Sequence, residues 1–166
     1  MPEISAPETR APKIGALTVE IQQRAPQPAL AIRLQRSLSE IPQAMAEVLP
    51  EVWQAAAAQG LAPTMPYARY FAFDQAGIDF EAGVLLDRSA VSEAGRAQPV
   101  ELPGGEVAVA WHIGPYERLA ETYASMGRWI AAAGRAEGGP MWEVYWDDPQ
   151  DVPQELVRTE VLIPLA

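Results

Sequence analysis

Two stretches of this chain follow the same order of short apolar segments, an alanine-rich segment and a turn built from proline or glycine. Matching points are offset by 100 − 19 = 81, 143 − 68 = 75 and 160 − 81 = 79 residues, so the two copies differ only by short loop insertions. A repeat of this length is one supersecondary unit, and we expect two copies to form a cleft between them. The matching pairs are Val19 and Val100, Ala68 and Glu143, and Glu81 and Glu160.

The periodicity within each copy predicts an α+β fold. Alternating apolar and polar residues indicate strands, whereas apolar residues three and four positions apart indicate one helix per copy. We therefore expect two duplicated β-α-β-β modules with pseudo-two-fold symmetry around a central ligand cleft, each extended by a further strand. The predicted strands are residues 17–22, 29–34, 67–73, 80–86, 100–102, 106–113, 141–146 and 157–165, and the predicted helices are about 39–60, kinked or split at Pro50, and 114–133.

The domain organisation follows from length and proline content. A chain of 166 residues suits one well-buried core. Residues 1–16 are rich in proline and are predicted to form a disordered or extended tail. Residues 17–166 are predicted to form one domain, with the first repeat at about 17–86 and the second at about 99–166.

Composition excludes several function classes. The net charge is −10, and no cluster of Lys and Arg exists to neutralise phosphates, so we expect no direct contact with nucleic acid. There is no Cys and a single His, His112, which argues against a metal site. The paired glycines lack the spacing and the lysine of a phosphate-binding loop, so no cofactor is expected. No apolar run spans a membrane and no signal peptide is visible, which predicts a cytoplasmic protein without a membrane partner.

Four segments of the second copy resemble a known family. They are Trp111–Tyr116, Pro140 with Trp142–Tyr145, Asp148–Pro149, and Thr159–Pro164. Their order and spacing resemble the GyrI-like effector-binding family, which occurs alone or fused to multidrug-sensing MerR-type and AraC-type transcription regulators. The resemblance covers about residues 19–165. No helix-turn-helix segment precedes residue 19 in this sequence, so it resembles a stand-alone member.

The resemblance implies a ligand and a central acidic residue. It implies two α+β modules around a cleft that takes lipophilic, often cationic and aromatic molecules, with the characteristic carboxylate at Glu143. Some stand-alone members resemble hydrolases that open cyclopropane rings, using this carboxylate together with an aromatic hydroxyl. Tyr116, which follows Gly114–Pro115 at a predicted helix start, is the candidate for that hydroxyl. Packing of Tyr116 at the helix terminus is the alternative.

Strand alternation gives independent support for Glu143. It places Met141, Glu143 and Tyr145 on one face of their strand, and Trp142 and its even-numbered neighbours on the other, which we expect to be the helix-packed core. A partly desolvated carboxylate attracts an organic cation more strongly than one in water, and aromatic walls add cation–π attraction. Burial would also raise its pKa and suit it to acid–base chemistry. The alternative is a solvent-facing Glu.

The remaining site candidates come from the repeat and from the aromatic residues. Tyr70 matches Tyr145, and Ala68 matches Glu143, so the first copy would leave room for a ligand. Trp111 is a further candidate for an aromatic wall. His112 is expected at the rim of the cleft or exposed, without the partners of a hydrolytic triad. The matched pair Glu81 and Glu160 is expected to be structural.

Three functions remain open from the sequence. The first is binding or sensing of lipophilic, cationic aromatic molecules. The second is hydrolysis of strained electrophiles, with Glu143 and Tyr116 as catalytic residues. The third is a protein-interaction module such as a gyrase inhibitor, whose protein partner the sequence does not identify.

Overall fold

The computed structural model describes residues 17–166, so the predicted tail at 1–16 lies outside the described residues. All eight predicted strands and both predicted helices are present within that range, with shifted ends. The strands are β1 Val19–Arg24, β2 Gln27–Arg36, β3 Pro63–Asp74, β4 Gly77–Leu86, β5 Gln98–Leu102, β6 Gly105–Ile113, β7 Trp142–Tyr145 and β8 Arg158–Pro164; the helices are α1 Ile41–Ala58 and α2 Leu119–Ala132.

The eight strands form one antiparallel sheet in the order β1-β6-β8-β7-β3-β4-β2-β5. Strand β1 pairs with β6, and strand β5 pairs with β2, so each half of the chain supplies an edge strand to the other half. The short link from β1 to β2 touches the link from β5 to β6: a Cβ added to Gly104 would lie 2.7 Å from Pro26 Cδ. The opposite edges of the sheet therefore meet, and the sheet is curled.

Local sequence signals set the ends of the helices. The Glu40 carboxylate accepts hydrogen bonds from the Ser37 N–H (3.1 Å) and hydroxyl (2.6 Å) just before α1. Proline in the first turn of α1 suits a position whose N–H has no helical partner. Both helices are followed by a glycine at positive φ, Gly60 at 69° and Gly134 at 70°. Of the kink or split predicted at Pro50, the split does not occur, because α1 continues through Pro50 as a single helix.

The two faces of the sheet have separate cores. On one face α1 packs on β2 and β4, and α2 packs on β6 and β8. On the other face Trp142, Val144 and Tyr67 belong to a cluster that is formed only by strand residues and contains no helix residue. The prediction that the Trp142 face carries the helices is therefore wrong. The curled sheet closes that face on itself, and the helices lie on the Glu143 face.

No helix within residues 17–166 combines the length and apolarity needed to cross a membrane.

Candidate functional site

Glu143 lies near the middle of the sheet on the face that carries both helices. Its cross-strand partners are Val161 on β8 and Ala68 on β3. The residues in register with Glu143 across the sheet form a row in which all the others are aliphatic. Three of them are alanines, whose small side chains leave space above the strands. In sheet order the row is Val19, Ala110, Val161, Glu143, Ala68, Ala82 and Ile32.

Two tyrosine hydroxyls converge on one oxygen of Glu143. The Tyr145 hydroxyl donates to Oε1 at 2.7 Å from the same strand, and the Tyr70 hydroxyl donates to Oε1 at 3.4 Å from β3. The Tyr70 N–H also donates to the Met141 carbonyl (3.1 Å), which fixes β3 against the start of β7. Oε2 has no hydrogen-bond partner among residues 17–166.

Burial dominates the electrostatics of Glu143. The residue is 3% exposed, and desolvation raises the pKa of its carboxyl to about 7, although both tyrosine hydroxyls act in the opposite direction. Within the described part of the chain, none of the ion pairs involves Glu143. Desolvation and the adjacent carboxylate raise the pKa of Tyr70 and of Tyr145, so both remain hydroxyl donors. The site is thus a buried carboxylate held by neutral groups alone.

Tyr116 lies at the outer end of this cluster. Its ring contacts the edge of Tyr145 with centroids 5.8 Å apart, and it is 39% exposed. Partial burial, followed by the charge of Glu143, raises the pKa of Tyr116 to about 12. Its hydroxyl forms no hydrogen bond with Glu143 among the described contacts. Tyr116 therefore borders the site through Tyr145 and does not contact the carboxylate directly.

The structure brings most of the predicted residues together and separates one of them, Trp111. Ala68 is fully buried directly opposite Glu143, and Met141 is partly buried against the α2 core. Trp111, in contrast, points away from α2 and packs on Trp146 at 5.2 Å, so the sheet separates it from Glu143. Adjacent strand residues such as Trp111 and His112 face opposite sides of the sheet, but alternation does not show which side carries the cleft.

His112 is buried, not exposed at a rim. It is 5% exposed beneath α2. Its Nε2 donates to the Pro115 carbonyl at 2.8 Å, so in the neutral ring Nδ1 accepts from the Thr122 hydroxyl at 2.7 Å. Its two ring nitrogens are used to hold the start of α2. Within residues 17–166, no group of three metal-ligating side chains is close enough to hold a metal ion.

Two aromatic residues beside Tyr70 are not among the predicted site residues. The Tyr70 ring stacks on Phe80 at 6.0 Å and on Phe73 at 5.7 Å. The signal for Phe80 was available, because Tyr70 and Phe80 are cross-strand partners of adjacent predicted strands. Phe73 could not be found from alternation, which places residues three apart on opposite faces.

Comparison with known proteins identifies a family model and several proteins of shared fold. Residues 17–166 match the family model described as a GyrI-like small molecule binding domain. No curated protein matches the sequence. Among solved structures, the EcmrR C-terminal domain superposes with a TM-score of 0.78 at 18% identity, over 90% of this chain and 98% of that domain. In the EcmrR–DNA complex the chain spans 57% of the EcmrR length, at 17% identity and a TM-score of 0.76.

Two further structural neighbours are more distant. SAV2435, solved bound to tetraphenylphosphonium, has a TM-score of 0.58 at 14% identity, over 90% of this chain and 94% of that one. A hydrolase from Listeria innocua has a TM-score of 0.61 at 13% identity, over 89% of this chain and 91% of that one. At these identities the likenesses establish a shared fold.

Proposed function

The chain belongs to the GyrI-like small-molecule-binding family, and from that premise we propose that it binds lipophilic, cationic aromatic molecules at Glu143. The site would lie on the helix-bearing face of the sheet, between α1 and α2. Its lining would include Tyr70, Tyr145, Met141 and Ala68, with Tyr116 at the outer end.

The main support for this proposal is that Glu143 has no positively charged partner among the described residues. A buried carboxylate is costly unless a positive charge compensates it. Glu143 is 3% exposed and receives only hydroxyl hydrogen bonds, and its Oε2 has no partner among the described residues. A bound organic cation would supply the absent charge, while the rings of Tyr70 and Tyr145 would provide cation–π contacts. The tetraphenylphosphonium complex of SAV2435 shows that this fold can accommodate such a ligand in a neighbour.

With a duplicated origin, Ala68 and Glu143 would be equivalent positions, and only the second copy would carry the carboxylate. Exchanging β1–β4 with β5–β8 converts the sheet order into its own reverse, as expected for two β-α-β-β modules, residues 17–86 and 99–166, related by a pseudo-two-fold axis. Such an axis would pass between Ala68 and Glu143, which pair across β3 and β7. The alanine would then provide the space that the ligand occupies.

The test is a calorimetric titration with tetraphenylphosphonium at pH 8, where Glu143 is mainly ionised. Glu143→Gln keeps the shape and the tyrosine hydrogen bonds but removes the charge, so we expect its affinity to fall roughly 30-fold. Glu155→Gln removes an exposed carboxylate elsewhere and is the matched control, with unchanged affinity expected. Wild-type affinity should also decrease from pH 8 to pH 6, as Glu143 takes up its proton. Equal binding by wild type and Glu143→Gln would refute the proposal.

A second candidate function is hydrolysis of a strained electrophile. It is favoured by the pKa of Glu143, which at about 7 suits a general acid or base at neutral pH, and by the 2.7 Å hydrogen bond from Tyr145. The geometry makes Tyr145 a nearer partner than Tyr116. Mass spectrometry of the ligand after incubation separates the two functions. Intact ligand supports binding alone, whereas a hydrated product formed by wild type and not by Glu143→Gln supports the enzyme.

A further inference from the structure

Strand β3 contains a bulge that changes the direction of its aromatic side chains. The register with β4 shifts between Tyr70 and Ala72, which leaves Phe71 as the extra residue. In a regular strand, residues 70 and 73 would face opposite sides, but one extra residue brings them to the same side. The rings of Tyr70 and Phe73 accordingly stack at 5.7 Å with an angle of 24°. Phe73 is nevertheless 60% exposed.

A cavity of about 320 Å³ opens beside these stacked rings. Its opposite wall is held rigidly to the end of β8: the Gly138 N–H donates to the Pro164 carbonyl at 2.8 Å, and the Ala166 N–H donates to the Ala136 carbonyl at 2.9 Å. The volume is within the range of small-molecule sites. The lining residues are Tyr70, Phe71, Phe73, Glu137, Gly139, Pro140 and Met141.

The charge of the cavity is negative. Glu137 is the only Asp, Glu, Lys or Arg among the lining residues, and it forms no ion pair within residues 17–166. Two guanidinium groups lie over Phe71, Arg33 at 4.1 Å and Arg69 at 5.2 Å. Arg33 is already neutralised by Asp79 through two hydrogen bonds of 2.7 and 2.9 Å, and the charge of Arg69 acts on the buried Glu81. The Tyr70 ring is stacked on Phe73 and Phe80, so the exposed ring of Phe73 and the Glu137 carboxylate remain for a ligand.

We propose that this cavity is a second binding site, separate from Glu143, for a small aromatic ammonium ion. The ammonium group pairs with the Glu137 carboxylate, and the aryl group packs on the exposed ring of Phe73. Cation–π attraction and partial desolvation favour such an ion over a neutral or anionic molecule of the same size. Tyr70 and Met141 are common to the two sites: both line this cavity, and the Tyr70 hydroxyl also reaches Glu143.

The test is an NMR titration of the full chain with benzyltrimethylammonium, following the backbone amides of Phe73 and Gly139 against that of Val144. Gly139→Leu is the most informative variant. A Cβ at Gly139 meets its nearest neighbours, atoms of Pro164, only at 3.9 Å, so the backbone accepts a side chain there, and we expect the leucine to occupy the cavity. Glu137→Gln removes the charge alone, and Glu155→Gln controls for the loss of one negative charge.

We expect saturable shifts at Phe73 and Gly139 that disappear in Gly139→Leu and persist in Glu143→Gln. Glu137 is exposed, so Glu137→Gln should weaken binding only about two- to fivefold, as for a surface ion pair. Benzylsulfonate, an anion of similar size, should cause no shifts. Shifts lost in Glu143→Gln but retained in Gly139→Leu would overturn this site while supporting the one at Glu143. Shifts lost in Gly139→Leu but retained in Glu143→Gln would support this site alone. The absence of shifts at Phe73 and Gly139 in wild type would also overturn it.

Discussion

The two faces of the sheet treat buried carboxylates differently. On the face without helices, Glu160 forms an ion pair with Arg24 at 3.0 Å. Glu81 accepts a hydrogen bond from Tyr67 at 3.1 Å; burial raises the pKa of its carboxyl, as it does for Glu143, but the charges of Arg69 and Arg33 act in the opposite direction. On the helix-bearing face, Glu143 has hydroxyl partners and no cation. All three are at most 6% exposed. Each carboxylate on the face without helices therefore has a guanidinium charge acting on it, and Glu143, which has none, is the one we assign to a ligand.

The largest expected effect is a difference in sign: removing a carboxylate charge should stabilise the protein on the helix-bearing face and destabilise it on the other face. Burial raises the pKa of Glu143 from 4.5 to about 7, so the folded state holds this proton more tightly than the unfolded state does. Stability from this group is therefore full below pH 4.5 and is lost as pH rises to about 7, by about 3 kcal/mol. Glu143→Gln should abolish this decline and be more stable than wild type at pH 8.

Urea unfolding between pH 4 and pH 8 measures this effect. Glu160→Gln is the matched control, because it removes the same charge from a carboxylate that has a cation, and it should be less stable than wild type at pH 8. A loss of stability at pH 8 in both variants would show that Glu143 is compensated in a way that the contacts do not reveal.

A smaller effect is expected from removing the cation on the other face. Arg24→Met keeps the length of the side chain but leaves Glu160 buried without its partner, and the free energy of unfolding at pH 7 should fall by about 2 kcal/mol. The cost is below that of a fully buried pair because the Arg24 side chain is 34% exposed. The double variant with Glu160→Gln should recover most of the loss. Without that recovery, packing of the Arg24 stem, and not its charge, would explain the result.

The smallest effect distinguishes the two hydroxyls on Glu143. Tyr145 donates at 2.7 Å and Tyr70 at 3.4 Å. Tyr145→Phe should therefore raise the pKa of Glu143 further and lower stability at pH 8 by about 1 kcal/mol, and Tyr70→Phe should do less of both. The pH dependence of the Glu143 carboxyl carbon shift in NMR measures the pKa directly. Equal shifts in the two variants would contradict this ranking.

The sequence predicts the order of elements well because strand and helix periodicities are local. Alternation also predicts correctly that Met141, Glu143 and Tyr145 share one face. It cannot show which face the helices cover, because Trp142 and its neighbours would look apolar in either core. The burial of Glu143 was likewise inaccessible, since it depends on Tyr70 reaching across from another strand. The bulge at Phe71 adds a residue without any composition signal, so Phe73 was not placed.

The exchange of edge strands has a consequence for how the chain folds. Strand β1 pairs only with β6, and β5 pairs only with β2, so neither half completes its sheet from its own residues. Most stabilising contacts join residues distant in sequence, and a topology of this kind folds slowly because chain closure precedes the contacts that reward it. The centre of the sheet, where β3 meets β7, can form only after the halves have associated. The surroundings of Glu143, which include the Tyr70 hydroxyl from the other half, are thus a product of that association, and an isolated half would not retain them.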